Sequence, residues 1–376
     1  MGVRLLQLIS RLHICETWRS GTSFRPDERE NQIHICEGYA RMTLESDDIY
    51  LLTEVASLYY EENYTQEQIA KVIGVSRSGV SRLLTRSREL GLVDIHVHHP
   101  LRTSTSLRDE LMQRFGLQDA QVLLSSSPDE LVLSHVGALA ARYTDRRIQE
   151  SQAAGDEAIR IVGISWGTSM LEMLKGLRPR RRLPLNIVQL MGSVDTSSMP
   201  DIDGPDIARR LADAYGGRCY YLHAPLLVAD ATVRNGLLKE RSLRRSFQTM
   251  EQMDMALVGI GGARPEASGL FRAGYMDENE LEVIRSQGAV GDICGCYFNI
   301  DGQLCATEML DRTITVPFAT MRKVPLVIAV AAGVAKNEAI LGALRTGVVK
   351  VLITDEPCAR AVLQLATSRE YVELSG

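Results

Sequence analysis

The sequence lacks a long apolar run. No segment approaches the roughly 18 consecutive apolar residues that a membrane span requires, which excludes a membrane-spanning helix. It also lacks an excess of positive charge. Lys and Arg number 42 against 47 Asp and Glu, a net charge of −5. Nucleic acid is therefore not attracted globally, and any DNA contact must be local. A disulfide framework is missing too. The seven cysteines (Cys15, Cys36, Cys219, Cys294, Cys296, Cys305, Cys358) are odd in number and scattered, which argues for a reduced, cytoplasmic protein. Finally, histidine is scarce where one motif would need it. Gly163-Ile164-Ser165-Trp166-Gly167 is a literal G-x-S-x-G, but only His223 follows it. A serine hydrolase of that type needs Ser, then Asp or Glu, then His, and no acidic partner for His223 stands out. The alternative is a glycine-rich strand-to-helix loop whose backbone N–H groups hold a phosphate.

What is present suits two or more domains. The chain has 376 residues, 45% hydrophobic and 24% charged, enough for a sizeable core. Residues 1–44 differ from the rest. VRLLQLISRLHIC is amphipathic but has neither a signal peptide's apolar stretch nor its cleavage site. His-Ile-Cys-Glu occurs at 13–16 and again at 34–37. The spacing is too wide for a compact His/Cys metal site, so no metal is expected. A disordered extension, or a start at Met42, is the expectation.

From Asp47 a helical period sets in, with Ile49, Leu52, Val55, Ala56 and Tyr59 recurring on one face. Then comes YTQEQIAKVIGVSRSGVSRLLTRSRELGLV. Thr65 is an N-cap with Gln68 three residues on, as in a capping box. The first helix is expected over Gln66 to Ile73, and Gly74 supplies the positive φ of a tight turn. Ser76 caps a second helix that runs to about Glu89 and stops at Gly91. Ala70 must be small where the helices cross, and Val75, Val80 and Leu83 are the expected buried face. The outward face carries Arg77, Ser78, Ser81, Arg82 and Arg86. Four arginines (77, 82, 86, 88) stand there against one Glu89. This is a helix-turn-helix whose second helix can enter a major groove. Thr65, Gln66, Ser76, Arg77, Ser78, Ser81, Arg82 and Arg86 are the candidate DNA contacts. LVDIHVHH then alternates as a strand, plausibly a wing, with His96, His98 and His99 facing outward. The expected DNA-binding domain is 45–100.

Pro100 and the TSTS at 103–106 mark a boundary. Leu107, Leu111, Met112 and Phe115 form a helical stripe ending at Gly116. This linker, 101–119, can join head to body, pack on a second subunit, or pack on its own body.

Residues 120–376 alternate strands and helices. AQVLLS, IRIVGI, LNIVQLMG, RCYYLHA, MALVGIG, PLVIAVAAG and VKVLITD are short, apolar strands separated by amphipathic helices. That pattern predicts a doubly wound parallel sheet covered on both faces. YFNIDGQLC adds a hairpin turning at Asp301-Gly302. Ligands of such sheets sit beyond the strands' carboxyl ends. There the sequence places Ser165 to Ser169, Met191-Gly192-Ser193, Gly261-Gly262, and Ala331-Ala332-Gly333 followed by Lys336. Backbone amides, hydroxyls and a lysine at a helix mouth describe a pocket for a small phosphorylated molecule. Asp292 is a carboxylate able to accept from sugar hydroxyls.

The motifs YYxxxxTQxxIAxxxGVSRxxVSRLL, VGISWGTSM, VQLMGS, AVGDIC and AAGxxK are those of a known family. From about Asp47 to its end the chain resembles the SorC family of sugar-responsive bacterial transcriptional regulators, in the branch that includes the deoxyribonucleoside regulators. The resemblance implies a homo-oligomer, dimer or tetramer, bound to operator DNA. It also implies a body similar to sugar-phosphate isomerases that senses a phosphorylated sugar and uses no cofactor. By position, Gly167, Thr168, Ser169 and Lys336 would hold the phosphate, with Arg272 as a further candidate. Gln189, Asp292 and the Cys294 backbone would read the hydroxyls. Gly192 and Gly261 complete the expected lining. One position departs from the branch. Where it has a lysine able to form a Schiff base, this chain has Met191, which implies a non-covalent ligand such as a ketose phosphate or polyol phosphate.

Two other readings compete. An isomerase-like enzyme with an appended head would need a base over the reacting carbon, and Asp292 is the only candidate. A DNA-binding protein with a mere oligomerisation platform would have no use for the phosphate-type loops.

Overall fold

The structure is a computed structural model that describes residues 49–93, 101–124, 129–152, 155, 158–194 and 203–375. The 1–44 extension with its His-Ile-Cys-Glu repeats lies outside the described residues. So do the wing histidines His96, His98 and His99. The chain divides into two compact units, 1–99 and 100–376.

The first unit is built on three helices. Helix α1 spans 49–60, α2 Gln66–Ile73 and α3 Arg77–Glu89. Thr65 and Gln68 form the expected capping box, and Gly74 takes φ 73° to end α2. Ser76 accepts the Gly79 N–H at 3.1 Å to start α3. Val55, Ile69, Val80 and Leu84 fill the small core. Burying each such side chain stabilises by about 1.5–3 kcal/mol. Ser87 ties the unit together, its hydroxyl lying within reach of the carbonyls of Leu52 and Leu83. One expectation fails here. Val75 is 41% exposed. Val75 precedes the Ser76 cap, so it sits on the turn rather than on the helix. On α3 the buried apolar positions are Val80 and Leu84, with Leu83 half-buried beside them.

The second unit is a parallel sheet between layers of helices. Its strands are β1 (Asp119–Leu123), β2 (Ile161–Ile164), β3 (Asn186–Gln189), β4 (Arg218–Tyr220), β5 (Met255–Gly259), β9 (Leu326–Val330) and β10 (Val351–Asp355). All seven expected strands are there, in the order β1-β10-β9-β5-β2-β3-β4, every pair parallel. From β2 the chain winds outward through β3 and β4, then returns to β5 and winds the other way. The switch point lies between β2 and β5, where such sheets open a crevice. A small antiparallel sheet, β6 (Gly261–Gly262), β7 (Ala289–Ile293) and β8 (Cys296–Asn299), sits beyond β5.

The linker stripe is used within this unit. Helix α4 (Thr105–Phe115) buries Leu107 and Leu111 against β1 and the last helix, α15 (Glu356–Ser375). Helix α5 (Asp129–Ser151) lies along α6 (Thr168–Gly176). Their approach is close because Gly137 and Gly176 lack side chains. A Cβ on Gly137 would meet the Glu172 backbone at 2.6 Å, and one on Gly176 would meet Ala138 Cα at 2.9 Å. The helix that opens the cleft is thus held firmly from behind.

Candidate functional site

The site begins with β2. Gly163 is there because a Cβ would strike Met253 Sδ at 2.3 Å. Ser165 is buried and committed to the sheet. Its N–H donates to Leu257 O at 3.0 Å, and its Oγ accepts the Gly259 N–H at 3.3 Å. It bridges β2 to β5, so the serine of the G-x-S-x-G ties two strand ends together at the edge of the cleft described below. Gly167 then takes φ 122°, a conformation L side chains rarely adopt, and α6 starts with no side-chain cap. The N–H groups of Thr168, Ser169 and Met170 have no acceptor among the described residues. Uncapped N–H groups with the helix dipole behind them form an anion site.

The other walls come from distant segments. One cleft is lined by Gly167, Thr168, Ser169, Gly261, Arg272, Asp292, Cys294 and Lys336, together with Trp166, Met191 and Leu270. Lys336 ends the short 3-10 turn Val334–Lys336 that precedes helix α14 (Asn337–Arg345). Its Nζ donates to Ile260 O at 2.8 Å. Burial, then repulsion from Arg272, pushes its amine down to about 8, against the pull of Asp292 and Cys358. Arg272 closes the four-residue helix α10 (Gly269–Arg272) and is exposed at the rim.

Asp292 sits on β7 opposite Gly261. A Cβ on Gly261 would lie 2.1 Å from Asp292 Oδ1, so the glycine makes room for the carboxylate. Its Oδ2 accepts the Gly295 N–H at 2.9 Å. Burial raises the Asp292 carboxyl, opposed by that N–H and by Lys336. The cleft therefore holds two cations and one partly shielded carboxylate, a net preference for an anion with hydroxyls. Burial raises the Cys294 thiol well above its usual value, so it stays protonated and weakly reactive.

Of the ten body residues named from sequence, eight line this cleft and two do not. Gln189 is 1% exposed and turns away. Its Nε2 donates to Met191 O at 2.7 Å, and its Oε1 accepts the Leu222 N–H at 3.2 Å. It braces the exit of β3 instead of reading hydroxyls. Gly192 is a close-packing glycine, where a Cβ would meet Pro225 O at 2.5 Å. Met191 lines the cleft, so a thioether occupies the position discussed for a Schiff-base lysine. Sequence reasoning missed Trp166, which lay inside the quoted loop. It also missed Gly269 and Leu270, which sit in a short helix with no periodic signal.

On the first unit, Ser76, Arg77, Ser78, Ser81, Arg82 and Arg86 are all exposed on one side of α3. None of these arginines has a carboxylate partner among the described residues. Thr65 is exposed but its hydroxyl is engaged in the capping box, and Gln66 is half-buried. Together these side chains form a basic, hydroxyl-bearing helix face of the kind that enters a groove.

Both units match known families. Residues 99–364 match the family "Putative sugar-binding domain", and residues 53–89 match "Sigma-70, region 4". The chain is 35% identical to the deoxyribonucleoside regulator of Bacillus subtilis (strain 168), over 83% of this chain and 97% of that one. It is 30% identical to the sorbitol operon regulator of Klebsiella pneumoniae, over 85% and 99%. The crystal structure of that full-length regulator, SorC, superposes with a TM-score of 0.62, covering 84% of this chain and 99% of its own at 28% identity. A helix-turn-helix head, a doubly wound body with a cleft at its switch point, and these likenesses place the chain in the SorC family of transcriptional regulators that carry a sugar-binding domain.

Proposed function

We propose that this chain regulates a carbohydrate or polyol operon, and that a small phosphorylated sugar or polyol in the body's cleft sets its affinity for operator DNA. The observation that carries this is the uncapped start of α6 facing Lys336 and Arg272 across the cleft. The phosphate rests on the N–H groups and hydroxyls of Thr168 and Ser169, with Lys336 as counter-charge. Asp292 Oδ1 and the Cys294 backbone take the hydroxyls. Met191 offers no amine, so the ligand is held without a covalent bond. The ligand acts by binding one arrangement of the protein better than another, which shifts the population with the higher DNA affinity. The protein works as a homo-oligomer, dimer or tetramer, in the cytoplasm, on operator DNA and not at a membrane. No helix among the described residues is long and apolar enough to cross one.

An isomerase reading has one observation in its favour, the raised carboxyl of Asp292. One of its oxygens is already held by the Gly295 N–H, and the other titrating group of the cleft, Lys336, is engaged with Ile260 O. The body is therefore read as a sensor and not an enzyme. Isothermal titration with phosphorylated and unphosphorylated sugars and polyols tests the proposal. Binding restricted to phosphorylated compounds, with no turnover on prolonged incubation, is the expected result. Binding of unphosphorylated sugars alone, or conversion of the bound compound, would refute it.

A further inference from the structure

The cleft wall that carries Asp292 ends in an unusual turn. The strands β7 and β8 are joined by Cys294 and Gly295 alone, since Ile293 pairs with Cys296. Both turn residues have positive φ, 54° at Cys294 and 76° at Gly295. Two left-handed residues in a two-residue loop make a type I′ turn, which fits the twist of a hairpin. Such turns favour Asn-Gly or Gly-Gly. Cysteine has no polar group to bond locally and strains at positive φ. Asn63 is the only other non-glycine residue at positive φ among those described.

Two side chains hold the turn in place, one from the hairpin and one from outside it. Asp292 Oδ2 grips the Gly295 N–H from one side. From the other, Thr315 Oγ1 donates to Cys294 O at 2.7 Å, with Leu190 O also within 3.4 Å. Thr315 is 5% exposed and is not part of the cleft lining. Its backbone bridges to Met191, and the next residue, Val316, donates its N–H to Leu190 O at 2.7 Å. Thr315 thus fastens the turn to the exit of β3. No acceptor for the Cys294 N–H exists among the described residues, and Cys294 lines the cleft. The Cys294–Gly295 peptide is thus pinned at both ends, its carbonyl by a buried hydroxyl and its N–H by Asp292, while the N–H of the preceding Ile293–Cys294 peptide is left over; strain held in this way is a pointer to function.

We infer that Thr315 is a positioning residue. By fixing the Cys294–Gly295 peptide it sets Asp292, which accepts that peptide's N–H, and the preceding Cys294 N–H toward the hydroxyls of the bound molecule. It takes no part in holding the phosphate. The inference rests on the effector reading above but is separable from it. Thr313 and Met191 pack beside Gly295, and Met191 is bridged to Thr315.

The test compares two probes in the full chain. One is inorganic phosphate. The other is the tightest binder from a panel of tetritol, pentitol and hexitol phosphates and the corresponding sugar phosphates. Thr315→Val keeps the shape but leaves Cys294 O without its donor. It should cut the preference for the polyol or sugar phosphate over inorganic phosphate by about tenfold, the scale of one well-placed hydrogen bond. The affinity for inorganic phosphate should not change. Thr315→Ser should retain the preference. Adding Cys294→Gly to Thr315→Val should restore part of it, because glycine holds that φ without a clamp. An equal loss for both probes, or an unchanged preference in Thr315→Val, overturns the inference while leaving the effector reading intact. If no panel member binds the wild type better than inorganic phosphate, the effector reading fails and the inference falls with it.

Discussion

The proposed function gives two helices of this protein a ligand each, and they begin in opposite ways. Helix α3 starts at Ser76, whose hydroxyl accepts the Gly79 N–H. Helix α6 starts at Gly167, which has no side chain to offer. A capped start is complete in itself. It lets α3 serve as a rigid rod whose arginines do the contacting. An uncapped start leaves donors unpaired until an anion arrives, so α6 gains a partner only on binding. The same stretch of chain can be a structural end or a receptor, and one side chain decides which.

Removing the cation opposite the uncapped start should have the largest effect. Lys336→Ala is expected to weaken binding of a phosphorylated effector by a hundredfold or so, about 2–3 kcal/mol for a charged hydrogen bond. DNA affinity without effector should stay as in wild type, since α3 is untouched. Titration calorimetry and DNA-binding isotherms check the two halves.

Next comes turning the receptor into a structural end. Thr168→Asp places a carboxylate in the first turn of α6, where the dipole favours it by about 0.3–1 kcal/mol. The body should melt slightly later, while effector affinity drops by tenfold or more because the anion site is already filled. Thermal melts and titrations on the same sample would show the opposed signs.

The reverse change, uncapping the capped helix, should be smaller. Ser76→Ala costs about 1 kcal/mol, the usual worth of an N-cap. The loss should fall on the head and on DNA binding, not on effector binding, read by denaturant unfolding and DNA anisotropy.

The smallest effect is the pH dependence. The Lys336 amine is lowered to about 8 in the free protein, below its ordinary 10.5. Between these values the unfolded chain binds more protons than the folded one, so this group makes the free protein more stable as pH rises through that window. Below pH 8 the amine is charged in both states and the full cost of its burial is present. An anion in the cleft favours the charged form and raises the amine again. Effector affinity should therefore fall as pH climbs through 8, and titrations at pH 7 and 9 should differ severalfold in that direction.

The two regions also differ in how much of them could be read from sequence. The head was legible because its signals are local. Thr65, Gln68, Gly74 and Ser76 each act on residues within a few positions, and the structure has each where the spacing predicts. Val75 went wrong for the same reason, since an apolar residue just before a cap belongs to the turn. The sheet was legible through its apolar strands, but the strand order that puts the switch point between β2 and β5 was not. The cleft was legible only in part. Its lining joins segments from residues 165 to 336, and which of them turn inward depends on packing that no window of sequence contains. Gln189 has the right chemistry and the right strand, yet its amide is spent on Met191 and Leu222. The Cys294-Gly295 turn escaped because cysteine is not a turn residue by preference. Thr315 lies in a stretch with no motif, and only the contact with Cys294 gives it a role.

The most direct test of the account is fluorescence anisotropy of the full chain on its own upstream DNA, at fixed salt, with and without the phosphorylated compound that binds it. The account predicts a change in DNA affinity of about tenfold, or 1.4 kcal/mol of coupling, in wild type and none in Lys336→Ala. An equal change in both proteins, or none in wild type with the compound bound, would contradict it.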